Sequence, residues 1–336
     1  MASTTTKERR TVVKRKINHK RIEIQEEKAT VDALDDAPVT IHPEDLEMMF
    51  LGKACLNLIK SSVGTSNMLA GYKKAYENRV TPETFTRLEE LKAQFDLDFE
   101  RFKRRATSIA SIHPLWDRFK DIRGFSAYQL ALVMAMMKDV SRFEKSSSLM
   151  VYAGMAAINN MPVTKANLTK IKEYYFSQGR EFKGFNTMFS GRMFVITESI
   201  LKQKGYFYNM FTKLRVRLEE RARNEGSVEI IDGKEMMVGK KNQSLIMWSM
   251  RNAQRRVSRT ILQLIWMEWR TLRNLPTRDE YVYDYLGHDK KSLITLDEVT
   301  AVDRAITLRN AEDRAAAAEE SGKPKKAAKK VAKPKK

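Results

Sequence analysis

Between Pro82 and Pro114 the chain runs without a single glycine or proline. That unbroken stretch constrains the fold more than any other feature of the sequence. Leu88, Leu91, Phe95, Phe99 and Phe102 recur in it at steps of three and four residues, the spacing of one face of an α-helix. Thr81-Pro82-Glu83 supplies a start, with Thr81 as cap and Pro82 at the first helical position, where its missing N–H is not needed. His113-Pro114 sets the other end, because the residue before a proline avoids helical geometry. The same economy holds throughout: 14 glycines and 8 prolines in 336 residues disfavour a loop-rich all-β fold. The patterning predicts a mainly α protein.

Order is expected from Pro43-Glu44-Asp45, where acidic residues suit a helix start. Helical patches over 44–80 are expected to break at Ser61-Ser62-Val63-Gly64-Thr65. Residues 115–160 read as two short helices around a break at 138–143, and Ser146-Ser147-Ser148 as a cap. Residues 164–178 and 187–224 continue helical. Asp232-Gly233 stands between the apolar runs Val228 to Ile231 and Met236 to Val238, which predicts one small β-hairpin. A strong helix over 243–274 stops at Pro276, and an alanine-rich one covers 295–320. The linear division is a basic arm and linker (1–40), a helical region (41–114), a main domain (115–275), a helical extension (276–320) and a lysine-rich tail (321–336).

Several chemistries fall away early. One cysteine, Cys55, allows no internal disulfide and no cysteine-cluster metal site. His19, His42, His113 and His288 have no metal-ligand spacing, and no Ser, Cys or acid stands out as a catalytic partner for His113. Asp96 and Asp98 sit in a helical pattern that points them to different faces, a poor metal pair. No phosphate-binding glycine loop is present. Neither a cofactor nor a metal is expected. The longest apolar run, Leu130 to Met137, is far short of a membrane span, and no secretory leader is visible, so the expectation is a reducing, cytosolic-type compartment. The 18 methionines suit core filling or an adaptable helix interface.

The formal net charge of +20 is unevenly placed. Residues 7–21 carry +7 and residues 323–336 carry +8, leaving only +5 for everything else. The terminal KPKKAAKKVAKPKK is too polar to bury a core and reads as disordered. A flexible polycation binds nucleic acid by releasing counterions, without reading sequence. It lacks the apolar anchors of a membrane-surface segment. The body adds Arg101, Lys103, Arg104 and Arg105 at a helix end, which the helix dipole favours whatever the function. In the helix 243–274, Ile246, Met250, Ala253, Val257, Ile261, Leu264 and Leu272 share one stripe. Arg251, Arg255 and Arg259 fall opposite, with Arg256 beside them. Trp248, Trp266 and Trp269 share that second side, where packing on another helix is the simpler role.

Three segments together carry a family resemblance: Ile122-Arg123-Gly124-Phe125-Ser126 with the alanine-rich run after it, Asp139-Val140-Ser141-Arg142-Phe143, and Tyr152-Ala153-Gly154. In this order they resemble the C-terminal domain of the insertion-sequence transposases that pair a RuvC-like domain with a C-terminal serine domain. Ser249 to Ala253, leading to Ile265-Trp266 and Trp269-Arg270, is similar to that domain's last helix. The likeness covers about residues 85–275. It implies a helix-hairpin-helix-like segment in which Arg123, Gly124, Phe125 and Ser126 approach DNA phosphates, assisted by Arg251, Arg255, Arg256 and Arg259. Ser126 stands where the family has a second glycine, Arg123 where it has a proline. No serine occurs from Ala156 to Phe176, where the family's nucleophile lies, and the RuvC-like domain is not recognisable.

The resulting expectation is a DNA-binding protein, with structured RNA as a variant partner and no membrane partner, gripping the phosphate backbone through the helix-hairpin-helix-like turn and the arginine stripes, without a nuclease site of its own. It would work in the cytoplasm at the nucleoid of a prokaryotic or phage-infected cell, or in the nucleus of a eukaryote. A rival is a divergent transposase or recombinase using Thr164, Ser177 or Ser190. Another is a helical, nucleic-acid-packaging assembly protein, viral in type, self-associating through the helix 82–110.

Overall fold

The computed structural model describes residues 42–75, 82–159, 161–182, 184–239, 243–277 and 294–320. The basic arm, the Thr81 cap and the lysine tail lie outside the described residues. The fold is mainly α. The described helices are α1 (Pro43–Ala75), α2 (Pro82–Ala110), α3 (Pro114–Phe119), α4 (Ala127–Met137), α5 (Ser146–Tyr152), α6 (Leu168–Ser177), α7 (Thr187–Lys202), α8 (Tyr206–Asn224), α9 (Leu245–Leu272) and α10 (Leu296–Glu320). Two antiparallel hairpins join them, β1 (Ala157–Ile158) with β2 (Met161–Pro162) and β3 (Val228–Ile231) with β4 (Lys234–Met237).

Two compact units emerge, each assembled from separate stretches of chain. The first contains Met1–Asp117, Ser126–Phe194 and Ser258–Lys290; the second contains Arg118–Phe125, Val195–Val257 and Lys291–Lys336.

In the first unit α1 and α2 pack on each other and on α4. Helix α4 is nearly all apolar, and nine of its residues are buried. Such a helix, hydrophobic all round, is stable only when surrounded. Ser126 starts it with a capping box: its hydroxyl accepts the Gln129 N–H at 3.3 Å, and its own N–H donates to Gln129 Oε1 at 2.9 Å. At Gly52 of α1 the backbones come so close that a Cβ would stand 2.5 Å from the Ala131 carbonyl oxygen of α4. Helix α1 does not break at 61–65 as its sequence suggests. Thr65 Oγ1 and Ser66 Oγ return hydrogen bonds to the carbonyls of Ser61 and Ser62, and Ser62 Oγ donates to Asp96 on α2 at 2.7 Å, so the hydroxyls are used without interrupting the helix. The stripe Phe95, Phe99 and Phe102 of α2 is half-buried within this chain, with Phe99 edge-on to Tyr128 of α4.

Three side chains converge on the buried Asp45 and tie the unit together. Its Oδ1 meets His113 Nε2 at 2.9 Å and Arg273 Nη2 at 2.6 Å, and its Oδ2 accepts from Trp269 Nε1 at 3.1 Å and Arg273 Nε at 3.1 Å. His113 Nδ1 accepts the Leu115 N–H at 3.1 Å, so Nε2 carries the ring proton and donates to Asp45. Arg270 forms a second knot. It is 3% exposed, donates to the carbonyls of Phe143 (3.0 Å) and Pro276 (2.8 Å), and lies over the Trp266 ring. Trp266 Nε1 donates to the same Phe143 carbonyl at 2.7 Å.

In the second unit, β3 and β4 turn at Asp232-Gly233, both with positive φ (51° and 71°), the geometry that matches strand twist. Val228, Met237, Ala222, Leu245 and Trp248 form its small core beside α8. Sequence periodicity predicts only this hairpin; β1 and β2, two residues each, are too short to show any period. The serines 146–148 form the first turn of α5, whose cap position is Lys145 without a side-chain bond.

Candidate nucleic-acid interface

The turn at 122–126 is built by short-range geometry. The Phe125 N–H returns to the Ile122 carbonyl at 3.2 Å, and Gly124 takes φ of 81°, a conformation that disfavours side chains. Phe125 is buried against Phe119, with ring centres 5.9 Å apart. Gly124 faces the end of α7: a Cβ would meet the Ser199 carbonyl oxygen at 2.6 Å and Ile200 Cα at 2.8 Å. Its own carbonyl accepts from Ser199 Oγ at 3.0 Å. The glycine therefore permits close approach of a helix of the same chain.

Arg123 is held at three points. Its N–H donates to Asp303 Oδ2 at 2.9 Å, its Nε to the Gln203 carbonyl at 3.1 Å, and its Nη1 to Thr307 Oγ1 at 3.2 Å. Asp303 belongs to α10, is fully buried, and accepts the Tyr206 N–H through Oδ1 at 2.6 Å. Burial pushes its carboxyl above the usual range despite those N–H groups and the Arg123 charge. The backbone N–H groups of Arg123, Phe125 and Ser126 are thus engaged within the chain.

The α9 arginines divide. Arg251 and Arg256 are exposed, while Arg255 and Arg259 are half-buried. Burial lowers the proton affinity of the Arg255 guanidinium. Trp266 and Trp269 are fully buried, and Trp248 packs in the hairpin core. Ile246 and Met250, at the start of the apolar stripe, are 57% and 41% exposed, whereas Ala253, Val257, Ile261 and Leu264 are buried. The cluster on α2 is largely neutralised: Arg101 pairs with Asp98, Lys103 with Glu100 and Arg105 with Glu47, while Arg104 Nε bonds the Glu100 carbonyl.

Sequence reading overlooked Lys213 and Arg217 on α8, which are exposed one helical turn apart, with no ion pair among the described residues. The signal was the run Lys213-Leu214-Arg215-Val216-Arg217, obscured by Glu219 and Glu220 just after it. It also overlooked Asp303, whose role depends on a contact across 180 residues.

The motif residues behind the resemblance have structural work. Asp139 caps the turn 140–142 through the Ser141 N–H at 2.8 Å. Arg142 lies over the rings of Phe143 and Tyr152. Gly154 has φ of 69°, and a Cβ there would collide with Phe185.

The hydroxyls weighed as nucleophiles have ordinary settings. Ser177 Oγ donates to the Tyr174 carbonyl at 2.8 Å, and Thr164 and Ser190 are half-buried. His113 does have an acid partner, Asp45, 68 residues earlier in the chain, but both its ring nitrogens are occupied. No group of three or more His, Cys, Asp or Glu among the described residues could hold a metal ion. Asp96 and Asp98 take separate partners, Lys92 with Ser62 and Arg101 with Gln94. No helix among the described residues is long and apolar enough to cross a membrane. Compared with known families, curated proteins and solved structures, the chain matches none.

Proposed function

We propose that this protein binds nucleic acid through the phosphate backbone and is related to the C-terminal domain of the transposases it resembles. One observation carries the reading: +15 of the net +20 charge lies in two short runs, residues 7–21 and 323–336, which contain a single acidic residue, Glu8. Such runs attract a polyanion from any direction and confer no base specificity. The exposed cations Lys213, Arg217, Arg251 and Arg256 support a body that takes part in the grip. The shared order of the Gly124, Asp139 to Phe143 and Tyr152 to Gly154 motifs supports the kinship. Duplex DNA is the favoured partner.

The test is a titration of a labelled duplex with the full chain at several salt concentrations. Log affinity should fall linearly with log salt, with a slope of about −0.9 for each phosphate neutralised. Binding that ignores salt, or no binding at low salt, overturns the reading.

A further inference from the structure

The groups around Asp303 have the make-up of an oxyanion site. Two backbone N–H groups from separate elements, Arg123 in the turn and Tyr206 at the first position of α8, converge on the two oxygens of one carboxylate. Gly205, just before α8, makes the approach possible, since a Cβ there would collide with that carboxylate. The Arg123 guanidinium stands beside it, bonded to Thr307 one turn further along α10. N–H groups at a helix start, a glycine without a side chain and a guanidinium are what a phosphate oxygen requires. Here a carboxylate of the same chain fills the place.

The rest of the docked end of α10 continues the pattern. Asp297 pairs with Arg118 at 3.0 Å, and Glu298 accepts from Tyr206 Oη at 3.1 Å. Asp297, Glu298 and Asp303 are thus three acids of α10 that bond to the turn region and the start of α8, while Arg304 to Asp121 is a pair of opposite sense. The apolar hold is small, with Leu296 and Val299 the buried aliphatic side chains, and Leu308 is already 64% exposed. Asp303 itself sits uneasily, since burial outweighs its hydrogen bonds.

We infer that α10 is a displaceable cover, whose Asp303 carboxylate occupies a phosphate-binding cradle formed by the Arg123 and Tyr206 N–H groups and the Arg123 guanidinium. The inference rests on the nucleic-acid reading and adds a regulated site to it. Nucleic acid competes with α10 for these donors, and apparent affinity is reduced by the fraction of molecules in which the cradle is open. Displacement also releases Arg118 from Asp297 and brings the turn at 122–126 into the grip.

The experiment uses the full chain and a labelled duplex of about 20 base pairs at about 100 mM salt. Asp303→Asn puts an amide N–H against a backbone N–H and removes the charge, so it opens the cradle. It should bind roughly five- to tenfold tighter than wild type. Glu312→Gln, an equal charge change on the exposed end of α10, should gain less than about twofold. Adding Arg123→Ala to Asp303→Asn should abolish the gain. Hydrogen exchange should show α10 amides over 296–307 less protected in wild type once DNA is bound. If Asp303→Asn does not fold, Asp297→Asn takes its place, on a side chain that is 79% exposed. It should gain about two- to threefold, and Glu312→Gln again sets the baseline. Wild-type binding with no gain beyond that baseline, or a gain that survives Arg123→Ala, overturns the cover and leaves the nucleic-acid reading standing. Absence of binding by every variant overturns both.

Discussion

Asp45 shows how much one buried carboxylate can organise. Burial works against its charge, yet hydrogen bonds from His113, Arg273 and Trp269 and the Arg273 charge together hold its pKa below the ordinary 3.8. A carboxyl lowered by folding adds stability that is present above its unfolded value and disappears as pH falls through the folded one. Asp45→Asn leaves Arg273 poorly matched and should cost about 3 kcal/mol at neutral pH. Its thermal stability should also fall less steeply than that of wild type below about pH 4. Equal acid limbs for the two proteins would count against this account. Gln263 is the opposite case: it is 3% exposed, and neither its Oε1 nor its Nε2 has a hydrogen-bond partner among the described residues. Gln263→Met keeps the volume and removes the orphaned polar atoms, so it should stabilise by about 1–2 kcal/mol in a denaturant titration. Neither role was legible beforehand. Asp45 looked like a helix-start acid and His113 a loop histidine without an acid, because their partners lie 68 and 228 residues from Asp45.

Helix α1 carries two glycines with opposite consequences. Alanine gains about 1 kcal/mol over glycine in a helix interior. Gly64 has open space where a Cβ would go, so Gly64→Ala should stabilise by about that amount. At Gly52 the methyl would press on the Ala131 backbone, and overpacking of about 1–3 kcal/mol outweighs the propensity gain. Gly52→Ala should therefore lower the midpoint of chemical unfolding while Gly64→Ala raises it; the same sign for both would refute the close crossing. At this scale the sequence was most readable. Pro82, Asp232-Gly233, Pro276 and the alanine-rich run after 295 marked real boundaries, since each acts through local backbone geometry. Residues 61–65 misled because hydroxyls that favour turns in isolation can fold back onto the preceding helical turn.

For the molecule as a whole, the electrostatic prediction is separable by segment. Deleting residues 323–336 removes eight lysines and should reduce the magnitude of the salt slope for duplex binding by several, up to about 7. Deletion without effect on the slope would place the grip elsewhere. Charge is a sum over composition, so this part of the candidate site was visible without coordinates. The turn at 122–126 was visible only as a glycine with an arginine before it. That its donors face a carboxylate is a property of tertiary structure, and the sequence around residue 303 gives no hint of it.

One geometric feature of α10 bears on how a partner is first encountered. From Arg304 onward almost every described side chain is exposed, so the helix leaves its docking place as a bare rod. At 1.5 Å per residue, the stretch from Asp303 to Glu320 carries the root of the lysine run about 25 Å away from that carboxylate. Any load on the far end of such a mast acts through it upon the Asp303 hydrogen bonds at its foot.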